Sequence, residues 1–229
     1  MLYKVRFSGF VILILTLLIS YFSSFFALKL LFSVFTFEIY SKLAYTMPAW
    51  IFSLGVATLL LPLLKLEHKK KITIPWLLQR LRLKKFVLKE FVIAISLFIA
   101  SLLIEVFLRP FFDRFFILYK RNLSGFDEQT AQIELWVLAI LFIGVFFGSV
   151  LEELLWRGYL LPIQEKTIGR YAWLLNGILW SLSHIFIYNP ITILFSSICL
   201  SFIAFKYKNI TYTIILHLLL NAIVYARYV

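Results

Sequence analysis

The chain reads as a series of long apolar runs separated by short polar or basic segments. A run of about 20 apolar residues spans a bilayer as an α-helix. Seven such spans can be drawn, at roughly 9–28, 44–64, 87–108, 135–161, 171–188, 191–205 and 210–226. A membrane β-barrel would instead show alternating segments of about ten residues, and the sequence has none. The expected fold is all-α: a polytopic transmembrane helix bundle of about seven spans with no soluble domain. Proline punctuates the pattern. Pro48 and Pro62 fall in the second span, Arg109-Pro110 ends the third, and Asn189-Pro190 is a turn signal after the fifth. No internal repeat is visible. The pattern divides at about residue 130, with N-terminal helices and a basic loop at 65–89 in 1–130, and a helical core carrying the candidate chemistry in 131–229.

Composition agrees with a membrane assignment. Of 229 residues, 62% are hydrophobic and 15% charged, against about 45–50% and about 25% in soluble domains. The net charge of +12 could signal nucleic acid. The distribution of that charge argues for positive-inside topology and contact with anionic lipid instead. Nine of the 23 Lys and Arg lie in the loop from Lys65 to Lys89, so that loop is expected on the cytoplasmic side. Within it, residues 72–78 read as a short interfacial piece. The connection 109–134 is mixed in sign and suits the outer side. This threading puts the N-terminus in the cytoplasm and the C-terminus outside. The stretch after Lys4 and Arg6 begins like a signal peptide. Its apolar region is too long and lacks a small-residue cleavage site, so it is expected to stay as a first helix. The single cysteine, Cys199, lies in an apolar run and is expected to act as a small buried hydrophobe.

The chemistry is concentrated in three polar motifs inside apolar spans, where ionisable groups are costly and point to function. The first is Glu152-Glu153-Leu154-Leu155-Trp156-Arg157-Gly158. On an α-helix Glu153 and Arg157 share a face and can pair, while Glu152 is rotated by about 100° and points elsewhere. That asymmetry suits Glu152 as a buried general base. The second motif is a stripe at steps of four, Asn176, Trp180 and His184. The third is His217 and Asn221, again four apart. At about 1.5 Å per residue, Glu152, His184 and His217 lie about 12–20 Å from the cytoplasmic ends of their helices, so they can meet at one level. A carboxylate beside imidazoles can deprotonate a water. An imidazole and an amide can stabilise an oxyanion. Glu152, His184 and His217 could also hold a divalent metal. Both routes lead to amide hydrolysis. Each motif alone also suits a packing or helix-bridging role, but three at similar depth are harder to explain separately.

Together the motifs resemble the CAAX protease and bacteriocin-processing family (CPBP, also called Abi), which includes the type II CAAX prenyl endopeptidases. The family pattern is Glu-Glu-x-x-x-Arg, then Phe-x-x-x-His, then His-x-x-x-Asn or Asp. Here it is Glu152-Glu153…Arg157, Trp180…His184 with Trp in place of Phe, and His217…Asn221. The resemblance covers about residues 140–225. It implies an all-helical intramembrane endopeptidase in which Glu152 activates water and His184 helps position it. His217 and Asn221 would stabilise the oxyanion, and Glu153, Arg157 and Trp180 would support the site. It implies either a divalent ion such as zinc on Glu152, His184 and His217, or a metal-independent, glutamate-driven route. The expected partners are the lipid bilayer and a membrane-bound peptide or protein cut near the cytoplasmic side. No nucleic acid is expected. A small chain with seven apparent spans fits the bacterial members, hence a multi-pass protein of a bacterial plasma membrane. Two rivals remain: a non-catalytic binding or bacteriocin-immunity protein, and a proton-coupled transporter. The transporter is disfavoured because matched, broken repeats are missing.

Overall fold

A computed structural model of the protein describes residues 53–58, 60–68, 71–115, 135–184 and 190–225. The first expected span, the start of the second, and the connection from 116 to 134 lie outside these residues, as does the Asn189 turn. Among the described residues there are helices and turns and no strands. Residues 53–58 and 60–67 are helical. They are followed by α1 (Ile74–Arg80), α2 (Leu88–Phe115) and α3 (Leu135–Glu153). A π-helical segment, Leu154–Leu160, leads into α4 (Leu161–Ile168). After a 3₁₀ turn at Gly169–Tyr171 come α5 (Ala172–Ser183), a second 3₁₀ turn at Pro190–Ile193, α6 (Leu194–Tyr207) and α7 (Thr211–Tyr225).

Three stretches are long and apolar enough to cross a membrane: Leu88–Phe112, Ala139–Ser183 and Pro190–Tyr207. The protein is an integral membrane protein. Leu103, Val106 and Phe107 on α2 are well exposed, Phe107 by 82%, as lipid-facing side chains are. Three boundaries differ from the pattern. The third span was expected to stop at Arg109-Pro110, yet α2 carries Pro110 inside it. Membrane helices tolerate proline because neighbouring groups re-satisfy the backbone it frees. The fourth span was expected to end near 161, but helical backbone continues to Ile168. The fifth was expected to reach 188, whereas α5 ends at Ser183. The interfacial piece is helical, as α1.

The described residues fall into two compact units. The first holds residues up to 77, 135–155 and 218–225. Val56, Leu60, Leu64 and Leu141 are buried in it, and the Ser53 hydroxyl donates to the Gly144 carbonyl at 3.4 Å. His68 stacks on Trp76, with ring centroids 4.1 Å apart.

The second unit holds residues 78–115, 156–184 and 190–217. Gly169, with φ of 66°, turns the chain between α4 and α5, and the two helices pack together. The long apolar stretch 139–183 is thus bent at 169–171, where the sequence pattern separates its fourth and fifth spans. Helices α5 and α6 approach closely. A Cβ on Gly177 would lie 2.5 Å from the Ile198 Cα, so only glycine fits that crossing. Helix α2 packs on α6. The Glu105 carboxylate there accepts from the Ser196 N–H at 2.7 Å and the Ser196 hydroxyl at 2.9 Å. A carboxylate so placed satisfies a donor in the first turn of α6 that has no intrahelical acceptor.

Candidate active site

The π segment Leu154–Leu160 follows directly on Glu152 and Glu153 in the chain. A π segment shifts the backbone hydrogen bonds from i→i+4 to i→i+5 and changes where its carbonyls point. Two of them accept from side chains. The Trp156 carbonyl takes the Asn176 amide at 3.0 Å, and the Gly158 carbonyl takes an Arg80 N–H at 3.2 Å. Asn176 is fully buried and also donates to Gln164 Oε1 at 2.8 Å, while its Oδ1 accepts from the Ser201 hydroxyl at 2.9 Å. Gly158 sits in a tight approach, because a Cβ there would meet the Leu81 carbonyl at 3.1 Å and Ile210 at 3.2 Å.

Arg157 is completely buried. Its Nε donates to Ser201 Oγ and its Nη2 to the Ser197 carbonyl, both at 3.3 Å. Its Cζ stands 4.4 Å from the centre of the Trp180 ring, a desolvated cation–π contact of the kind worth about 2 kcal/mol. Trp180 meets both intramembrane histidines as well. His184 lies at 4.8 Å between ring centres and 70° between planes, and His217 at 5.2 Å and 85°. One indole therefore joins Arg157, His184 and His217, three residues from different motifs of the sequence.

His184 does not continue the α5 stripe. It is the residue after the helix, with φ of −91° and ψ of 2°. Its Nδ1 is 2.9 Å from the Trp180 carbonyl. A carbonyl only accepts, so Nδ1 carries the proton and Nε2 is the basic nitrogen of the neutral ring. The Ser183 hydroxyl donates to the same carbonyl at 2.6 Å. The end of α5 thus fixes both the tautomer and the plane of His184.

The first unit carries Glu152, Glu153 and Asn221. Both glutamates are buried on the last turn of α3, Glu153 completely and Glu152 with 9% exposed. The Asn221 amide donates to Ser149 Oγ at 2.7 Å, and Ser149 donates in turn to the Val145 carbonyl at 2.7 Å. Ser149 and Glu152 are three apart on α3 and so share a face. Asn221 is consequently held on the face of α3 that bears Glu152.

Residues 134–223 match the family model of Rce1-like proteins, the type II CAAX prenyl endopeptidase Rce1-like family. By this match the segment is similar to the CAAX protease family. All three motifs, from Glu152 to Asn221, lie inside the matched stretch. Searches of curated proteins and of solved structures each return no significant match. The family is one of proteases, and its chemistry takes place at a lipid bilayer.

The first unit thus carries the buried carboxylates and the Asn221 amide, and the second the two imidazoles around Trp180. Among the described residues, no three His, Cys, Asp or Glu side chains gather as a metal-binding set. Ser197 and Ser201 were not singled out by the sequence. Their spacing of four on an apolar span was the available signal, since serines so placed make one polar stripe.

Proposed function

We propose that the protein is an intramembrane endopeptidase that hydrolyses a peptide bond of a membrane-associated peptide or protein near the cytoplasmic side. Glu152 acts as general base on the attacking water, and His184 positions that water through Nε2. His217 and the Asn221 amide stabilise the oxyanion of the tetrahedral intermediate. Arg157 and Trp180 hold the imidazoles, and Glu153 is the supporting carboxylate. The roles follow the family motifs residue by residue. The observation that carries the reading is the contact of Trp180 with Arg157, His184 and His217 within a stretch that matches a protease family.

The test is cleavage of a membrane-anchored peptide library by wild-type protein and by Glu152→Gln, with metal content measured on both. The amide keeps the shape and removes the base. Wild-type cleavage that falls at least a thousandfold in the variant, without stoichiometric metal, is the expected result. Cleavage retained by Glu152→Gln overturns the assignment. Stoichiometric zinc with loss of cleavage would move Glu152 and the histidines to metal ligands. An inactive wild type would favour a binding or immunity role.

A further inference from the structure

We infer that Ser149 is a positioning residue for the oxyanion donor, acting through Asn221; this rests on the function proposed above. The hydroxyl of Ser149 has one hydrogen, and that hydrogen goes to the Val145 carbonyl one turn back at 2.7 Å. Its oxygen can therefore only accept toward Asn221. That decides the orientation of the amide, because the atom 2.7 Å away must be the donor Nδ2 and not Oδ1. The first Nδ2 hydrogen is thereby tied to Ser149, and the second lies in the same rigid plane. An amide hydrogen held in advance at a set angle stabilises developing charge with no reorganisation during the reaction.

The surroundings make the contact directional. Ser149 is 2% exposed, so water does not compete for its oxygen. A serine on a membrane helix can satisfy itself on its own i−4 carbonyl, so Ser149 needs no partner on another helix for its stability. The link to Asn221 is an additional bond across two helices, and it joins the Asn221 motif to the face of α3 that carries Glu152. Alanine at 149 would keep the helix and leave the amide to rotate.

The test compares Ser149→Ala, Ser149→Thr, Asn221→Ala and the double variant, using the library peptide that the wild type cleaves fastest. Ser149→Ala is expected to lower kcat roughly 10- to 100-fold with KM unchanged, and Ser149→Thr, which keeps the hydroxyl, to restore most of it. In the Asn221→Ala background, Ser149→Ala is expected to cost nothing more. If Ser149→Ala does not fold, Ser149→Cys, of similar size and poor hydrogen bonding, is judged by the same criteria. Wild-type kcat in Ser149→Ala, or full additivity with Asn221→Ala, overturns the inference while leaving the protease reading intact. An active Glu152→Gln, or an inactive wild type, overturns both.

Discussion

At the scale of single residues, the sequence places tryptophan where the family pattern has phenylalanine, and the contacts of Trp180 give that choice a physical meaning. The larger, more electron-rich ring stands against a buried guanidinium and meets two imidazoles in T-shaped contacts. Arg157 is matched to it by shape as well as charge. A planar fork can stack on the indole while its N–H groups reach Ser201 and the Ser197 carbonyl, and an ammonium cannot do both. Arg157→Lys is therefore expected to destabilise the protein by roughly 2–3 kcal/mol, read as a lower melting temperature in detergent, and to reduce cleavage because Trp180, which contacts His184 and His217, loses its buried partner. An Arg157→Lys protein with unchanged melting and activity would show that stacking is immaterial.

At the scale of elements, the approach of α5 to α6 is set by one glycine. The backbone of Ile198 occupies the space a Cβ on Gly177 would need, and backbone cannot step aside as a side chain can. The Ser197 hydroxyl, which donates to the Gly177 carbonyl, locks the same crossing. Gly177→Ala should cost about 1–3 kcal/mol by overpacking, although alanine is the better helix former by about 1 kcal/mol. A melting curve checks the sign: unchanged or raised stability would mean the helices part freely. This level was partly legible in advance. The extents of α6 and α7 follow the apolar runs closely, because length and hydropathy decide a membrane helix. The π segment was not legible, since Leu154–Leu160 has good α-helix formers throughout and its backbone is selected by tertiary partners, Asn176 and Arg80. Likewise His184 was placed in a stripe by periodicity, whereas the helix ends one residue before it. The identities of the motif residues could be read, but the indole that joins three of them could not, because its partners come from distant segments.

At the scale of the whole molecule, the basic segment after α1 is built into the second unit. Leu81 crosses Gly158, and the Ile210 N–H donates to the Arg82 carbonyl at 3.0 Å. Asn209 accepts from the Lys84 N–H at 3.3 Å and donates to the Lys85 carbonyl at 3.2 Å. The Tyr212 hydroxyl accepts from the Val87 N–H at 3.2 Å and donates to Glu90 at 2.7 Å. Thus residues 81–90 form a strap across the turn between α6 and α7. Its pin is Glu165 on α4. Arg82 grips that carboxylate with two bonds of 2.6 and 2.9 Å, and Lys208 adds a third at 2.6 Å. Arg82 and Lys208 both have positive φ, 59° and 49°, a conformation that costs a non-glycine residue roughly 1–2 kcal/mol. Two strained residues converge on one acid, so the ion pairs offset the strain. This separates two substitutions at one site. Arg82→Ala loses the ion pair and keeps the strain. Arg82→Gly loses the same ion pair and removes the strain, against a larger entropy in the unfolded chain. Arg82→Ala should therefore melt lower than Arg82→Gly by the equivalent of about 1 kcal/mol, and both should melt below the wild type at low salt. In high salt the wild type should move toward the variants as the partly exposed pairs are screened. Equal melting of the two variants would mean that Arg82 bears no strain, and wild-type melting in both would mean that the strap is held without help from the Arg82–Glu165 pair.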